Sequence, residues 1–294
     1  MKKVKMMSEG AAVKEITADM IKELRARTGV GMGKCKEALV KAEGDLEKAI
    51  DVLRKAGMAS AAKKEGRETK EGLILCSEDK THMVIAEANA ETDFVVQNER
   101  FKGFLEDCVA QALVSKPKSL AEFNQEPYSK DKSITVDQYR NLVIQALGEN
   151  IQLRRLEIVE KHPNSSYGIY SHMGGKLVVV VEIDGSTDEE AAAKDIAMHI
   201  AAESPEYLSV DQVPQEAIAR EEEIARSQVE GKPANIVDKI VAGKIKAYTD
   251  QVCLLGQKYV KDTSMTVAQY LESCAKKAGK TLSVKNFWRW KVGQ

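Results

Sequence analysis

The sequence is poor in the residues from which most catalytic and metal sites are built. Its 294 residues include 5 Cys and 4 His. Cys35, Cys76, Cys108, Cys253 and Cys274 are scattered, odd in number and form no C-x-x-C pair, so they read as reduced, mostly buried thiols. His82, His162, His172 and His199 stand too far apart for an H-x-x-x-H ligand set, and no metal centre is expected. Long apolar runs are missing as well. The longest, from Leu177 to Val181, is far too short to span a bilayer, and no signal-peptide stretch follows Met1; a cytoplasmic chain with no membrane partner is expected. The net charge is only −1, so the whole chain has no electrostatic pull toward RNA or anionic lipid, although its N-terminal quarter leans basic. No acid and base pair, no nucleophile beside a base and no phosphate cradle stands in a supporting context. What remains is a protein that acts by binding proteins, with no cofactor and no direct nucleotide binding.

Hydrophobic residues make up 43% and charged residues 30%, enough to build two or three packed units at this length. Residues 1–15 read as a flexible N-terminal arm without chemistry. Residues 16–57 read as three short helices. Ile16, Met20, Ile21 and Leu24 mark the first, with Thr17 as its cap; Cys35, Leu39 and Val40 mark the second; Gly44-Asp45 stops that helix and caps the third, which carries Leu46, Ala49, Ile50 and Leu53. Between the first two lies Gly29-x-Gly31-x-Gly33-Lys34. Its spacing is wrong for a P-loop, Cys35 stands where Ser or Thr is needed, and it follows a helix. Its glycines instead suit a tight turn that presents Val30 and Met32 to solvent or a partner. Residues 58–71 form a partly helical basic linker containing Lys63 and Lys64.

From 72 to 161 the pattern is that of a first core subdomain. Strands at 72–76 and 83–90 flank a Glu78-Asp79-Lys80 turn, and Glu91-Thr92-Asp93-Phe94-Val95-Val96 opens a long helix that Ser115-x-Pro117 stops. Thr92 or Asp93 caps that helix. Phe94, in its first turn, either folds onto the core or projects as a wedge toward a partner. Residues 118–133 read as a surface connection, 136–147 as a helix ended by Gly148, and 151–159 as a strand. Residues 162–294 then repeat the hairpin, helix and Ser-x-Pro order, the economical explanation being an internal duplication. The second copy has Asp188-Glu189-Glu190 where the first has Asp93-Phe94. Residues 214–250 add an antiparallel helix pair around Gly231-Lys232-Pro233, and a helix at 266–278 and a strand at 282–292 close the chain. The expected class is α+β: a three-helix bundle, a duplicated antiparallel core and a projecting helical hairpin.

Four runs, TGVGMGKCKEAL with GDLEKAI, ANAETDFVVQNERF, LGENIQLRRL and KDIAMHIAAESPEYL, occur in this order. In them the chain resembles the bacterial elongation factor Ts family. The resemblance implies a guanine-nucleotide exchange factor for elongation factor Tu in translation elongation, without covalent chemistry. It also implies that the bundle is ubiquitin-associated-like and the hairpin a coiled coil, through which a homodimer or heterotetramer would form. By that similarity Thr92, Asp93, Phe94 and Val95 press on the partner's G domain near switch II and disturb its Mg²⁺ site. Leu147, Gly148 and His172 match further contact positions. In the bundle Arg25, Val30, Met32 and Lys36 would face the same domain, and Lys64 and Val260 match other contacts. Gly33 and Lys34 depart from the Met and acidic residue usual in the family loop. An RNA-associated protein, a ubiquitin-like adaptor and a metal or redox enzyme are the alternatives from other classes.

Overall fold

The computed structural model describes residues 15–229 and 233–294. Helices and strands are mixed along it, as an α+β chain requires. Helices α1 (Ala18–Thr28), α2 (Met32–Lys41) and α3 (Leu46–Ala62) come first, followed by strands β1 (Glu71–Glu78) and β2 (His82–Ala90). Then come α4 (Asp93–Val96), α5 (Glu99–Ser115), α6 (Leu120–Gln125), β3 (Pro127–Tyr128), β4 (Asp131–Thr135), α7 (Val136–Leu147) and β5 (Ile151–Glu160). The remainder is β6 (Ser165–His172), β7 (Leu177–Asp184), α8 (Glu190–Glu203), α9 (Gln215–Ser227), α10 (Ala234–Val252), α11 (Val267–Ala278) and β8 (Ser283–Lys291). Among the described residues no helix is long and apolar enough to cross a membrane.

Local chemistry sets many of the boundaries. Thr17 and Asp45 cap α1 and α3 by accepting from Met20 N and Lys48 N. The three helices bury Leu24, Cys35, Leu39, Ile50 and Leu53 in a core of their own. Val30, expected at the surface, belongs to that core and is fully buried. Gly29, at φ 63, ends α1 in the left-handed region and turns the chain inward, so that Val30 drops into the bundle while Met32 stays 46% exposed.

Two expectations fail for reasons of scale. The long helix does not begin at Thr92: α4 is a single turn, and Asn98 starts α5 by accepting from Arg100 N. Residues 118–133 are not a plain connection either. Ser119 caps α6, which buries Phe123 completely, and β3 pairs with β4. Elements of two to six residues fall below the window in which periodicity is legible.

The repetition between the two halves extends further than the hairpins. The sheets run β1-β2-β5 and β6-β7-β8, the same order in each copy. Helices α5 and α8 both end on a left-handed residue before proline, Lys116 at φ 51 and Ser204 at φ 52. Helices α7 and α11 both start with a capping box, Thr135 with Gln138 and Thr266 with Gln269, and both end on a left-handed glycine, Gly148 or Gly279. Each copy also builds the same polar cluster. Asp107 accepts from the hydroxyls of Tyr128 and Tyr139 and from Lys130; Asp195 accepts from Tyr259, Tyr270 and Lys261. The tyrosines stack in pairs, with ring centroids 4.1 Å apart in one copy and 4.3 Å in the other.

The chain divides into two compact units: the described residues up to Gly72 with Ala86–Glu157, and Leu73–Ile85 with Ile158–Gln294. In the first, α3 packs along α7, and Arg100 of α5 donates to the carbonyls of Thr28 and Gly29 at the end of α1. In the second, β7 is buried on both faces, which explains its unbroken apolar run. Val179, Val181 and Ile183 face α8 and α11; Val178 and Val180, with Trp290, face Ile74, Met83 and Ile85. Helices α9 and α10 of this unit pack around Ala225, Val229 and Val241. The expected turn residues Gly231 and Lys232 lie outside the described residues.

Candidate functional site

At the end of β2 the chain leaves the sheet through Glu91 and enters α4. Thr92 is the cap: its backbone is extended (φ −127, ψ 156) and its Oγ accepts from Val95 N. Asp93 turns its carboxylate onto the N–H of Phe94 at 2.9 Å. A helix of one turn places successive side chains about 100° apart. Val95 and Val96 therefore point inward and are buried, while Phe94 points out and is 85% exposed. That figure decides between the two readings of the ring: it is not a core anchor. Val95, grouped with the contact residues on sequence, offers a partner little side-chain surface.

The α4 turn is held from across the first unit. Glu149 accepts from Thr92 N at 2.9 Å and from Thr92 Oγ at 2.7 Å. The next residue answers in the opposite direction, Asn150 N donating to Glu91 Oε1 at 2.6 Å. Asn150 Nδ2 also donates to the carbonyls of Glu65 and Arg67, and Arg67 pairs with Glu91. Just before this clamp, Gly148 at φ 86 ends α7 and leaves Leu147 part-exposed. The bundle reaches the same place: Lys34 Nζ donates to the carbonyl of Gln145 in the last turn of α7, at 2.8 Å. A cation there suits the negative end of the helix. Lys34, the departure from the family loop, thus has a use inside this chain.

Lys64 is half-buried and donates to Ser60 Oγ. Burial, and then repulsion from Arg67 and Lys34, push its ammonium below the ordinary lysine value. Of the sequence candidates, the first unit therefore gathers Thr92–Val95, Leu147, Gly148 and Lys64 around one clamp. Arg25, Met32 and Lys36 are exposed on α1 and α2. His172 and Val260 belong to the second unit and are both exposed. His172 Nδ1 lies 3.0 Å from Tyr170 Oη, and Val260 N donates to the buried His199 Nδ1. Glu149, Glu91 and Asn150 were missed as supporting residues. Glu149 lies in the LGENI run, yet its pairing with Thr92 spans 57 residues and leaves no local signal.

Among the described residues no group of three or more His, Cys, Asp or Glu is placed to hold a metal ion. A cavity of about 610 Å³ in the first unit is lined by Arg27, Arg54, Arg100 and Lys130, among others. These cations pair with Glu47, with Asp51 and Asp131, with the α1 carbonyls and with Asp107 respectively. No strong net charge is left for an anion.

The family model described as Elongation factor TS matches residues 91–294. Elongation factor Ts of Protochlamydia amoebophila (strain UWE25) is 59% identical over 279 residues, covering 95% of this chain and 99% of that protein. Elongation factor Ts of Chlamydia felis (strain Fe/C-56) is 44% identical, covering 94% of this chain and 98% of the relative. That of Chlamydia muridarum (strain MoPn / Nigg) is also 44% identical, over 95% and 99%.

Proposed function

The chain belongs to the elongation factor Ts family, and on that premise we propose that Phe94 is the wedge by which it drives nucleotide from elongation factor Tu. Its function is that of a guanine-nucleotide exchange factor in translation elongation, with elongation factor Tu as partner. The observation that carries the role of Phe94 is its 85% exposure on a turn whose neighbours are buried. An aromatic ring held in water on a fixed turn is costly to keep unless a partner covers it, and aromatics dominate binding energy at interfaces.

Asp93 and Phe94 press on the partner's G domain near switch II and loosen its hold on Mg²⁺. Leu147, Gly148 and Lys64 touch the partner beside them, Arg25, Met32 and Lys36 from the bundle, and His172 and Val260 from the second unit. Val30 and Val95 support this surface from beneath. The factor needs no covalent chemistry. If factor and GDP favour different conformations of the GTPase, each weakens the other by the same factor, and GDP leaves faster from the ternary complex.

In this reading residues 16–57 are a ubiquitin-associated-like domain joined by the linker 58–71 to core subdomains 72–161 and 162–294. The hairpin 214–250 is a coiled coil able to mediate dimerisation, and the protein works in the cytoplasm. Family membership does not favour an RNA-associated or ubiquitin-like adaptor module.

The test is release of a fluorescent GDP analogue from elongation factor Tu with the native chain, with Phe94→Ala, and with neither. Acceleration by the native chain that largely disappears in a folded Phe94→Ala is the expected result. Equal acceleration by both would leave the exchange function and remove the wedge.

A further inference from the structure

We infer that Glu149 is a positioning residue for exchange: its carboxylate presets the turn that carries Phe94. This rests on the role proposed for Phe94 above.

Helix α4 is too short to hold itself. A single hydrogen-bonded turn fixes several backbone dihedrals for one bond, so an isolated turn is unfavourable. It persists here because its first residue is fixed at two points. Thr92 donates both its N–H and its Oγ–H to the Glu149 carboxylate, at 2.9 and 2.7 Å, leaving a lone pair of Oγ for Val95 N. The hydroxyl is therefore oriented by Glu149 into the direction that capping requires. Hydrogen bonds to a carboxylate are also stronger than neutral ones.

The reciprocal bond from Asn150 N to Glu91 closes a second link one residue away on both strands of chain. Residues 91 and 92 are thereby locked to residues 149 and 150, and the exposed ring two positions later inherits that geometry. A free single turn would sample many orientations of Phe94, and in a complex held by the other contacts only the competent fraction would insert its ring and speed release, so the loss persists at saturating factor.

The experiment measures GDP release from elongation factor Tu over a range of factor concentrations. It uses the full-length chain, Glu149→Ala, Glu149→Gln, Thr92→Val, Phe94→Ala and the double variant Glu149→Ala/Phe94→Ala. Glu149→Ala removes two bonds to a carboxylate and is expected to lower the release rate at saturating factor by at least about ten- to hundredfold, the scale of a single charge-assisted hydrogen bond. Glu149→Gln, which still accepts from Thr92 N, should recover part of the loss, and Thr92→Val, which keeps that backbone bond but removes the hydroxyl bond and the cap, should lower the rate in the same direction. In the Phe94→Ala background, Glu149→Ala should add almost nothing, because it acts through the ring. Amide exchange of Thr92 and Val95 in free Glu149→Ala should quicken while that of α5 does not.

A Glu149→Ala chain that releases GDP at the native maximal rate while Phe94→Ala does not would overturn the inference. So would a loss of equal size in both backgrounds, which would place the action of Glu149 elsewhere. If Phe94→Ala itself keeps the native rate, the fault lies with the wedge. Thr92→Val keeps the carboxylate and the backbone bond, so it decides the matter if Glu149→Ala does not fold.

Discussion

Replacing Phe94 by alanine is expected to leave the stability of the fold almost unchanged, whereas the same change at Phe104 is expected to be severe. Both rings lie within the first unit, a few turns apart in sequence. Phe94 is 85% exposed and Phe104 is fully buried, with its ring 5.5 Å from that of Tyr139. A fully buried aromatic removes about 200 Å² from water. A ring covered over roughly a seventh of its surface hides about 30 Å², or about 0.7 kcal/mol at about 25 cal/mol/Å². Alanine, the better helix former, returns some of that. Phe94→Ala should thus fall within about 1 kcal/mol of the native chain, against about 3–5 kcal/mol for Phe104→Ala, which leaves a cavity. Urea unfolding followed by far-ultraviolet circular dichroism compares the two, with the slope checked so that midpoints can be read as stability. A Phe94→Ala chain destabilised by more than about 2 kcal/mol would put the ring in the core, since large losses come from core cavities. The exchange reading would then lose its wedge even if GDP release also fell.

Gly29→Ala should cost about 2–4 kcal/mol, combining left-handed strain with lost charge-assisted bonds. The residue sits at φ +63, and an added Cβ would collide with the Arg100 guanidinium; urea midpoints and faster amide exchange in α1 report the loss. Burial, only partly offset by Gln257 and the charge of Glu203, holds the His199 imidazole below its ordinary value. The unfolded chain binds that proton at about pH 6.5, so the stability His199 contributes is complete above that pH and is lost as pH falls through the depressed folded value. His199→Gln, copying the acceptor role of Gln111 toward Ser129 N, should fold and flatten stability below about pH 6.5; an unchanged acid limb in pH-dependent urea midpoints would refute this. Burial pushes the Cys76 thiol up to about 12 and that of Cys108 up as well. Iodoacetamide at pH 8, taken as about half a unit below a free thiol, should therefore spare both in the native chain and label both in urea, as read by peptide mass mapping.

What the sequence made legible was local. Thr17, Asp45 and Gly148 announce helix ends because a capping oxygen or a left-handed glycine acts within four residues of its own position. The stop of α7 at Gly148 followed from such a signal, and the family followed from four short runs of sequence. The twin tyrosine clusters stayed hidden although their residues repeat in type: Tyr128, Lys130, Thr135, Gln138 and Tyr139 match Tyr259, Lys261, Thr266, Gln269 and Tyr270. Asp107 lies 21 residues from Tyr128, but Asp195 lies 64 from Tyr259. The inserted pair α9 and α10 breaks the period. Val30 misled for a different reason: a glycine-rich turn says that the chain bends, but not toward which side.

The repeated architecture also supplies the strongest argument about Phe94. Aligning the two copies on their central strands sets Glu87 against Glu182 and Thr92-Asp93-Phe94 against Thr187-Asp188-Glu189. In the second copy this start is tied down by other partners of its own unit. Glu189 N donates to Ser166 Oγ at 2.8 Å, Glu189 Oε1 lies 3.5 Å from Ser186 Oγ, and Asp188 pairs with Lys280 at 3.0 Å. The Lys280 hydrogen bond and charge hold the Asp188 carboxyl below the usual carboxylate range. The same fold is therefore complete with a glutamate at this place, and nothing in the packing of a copy requires an aromatic there. In the first copy the turn is fixed instead by Glu149, from outside α4, so that the residue at the Glu189 position is released from any duty to the core. A ring exposed on a turn that is rigid without it is preorganised for a partner, and preorganisation is what lets a small contact act on a bound nucleotide at little entropic cost.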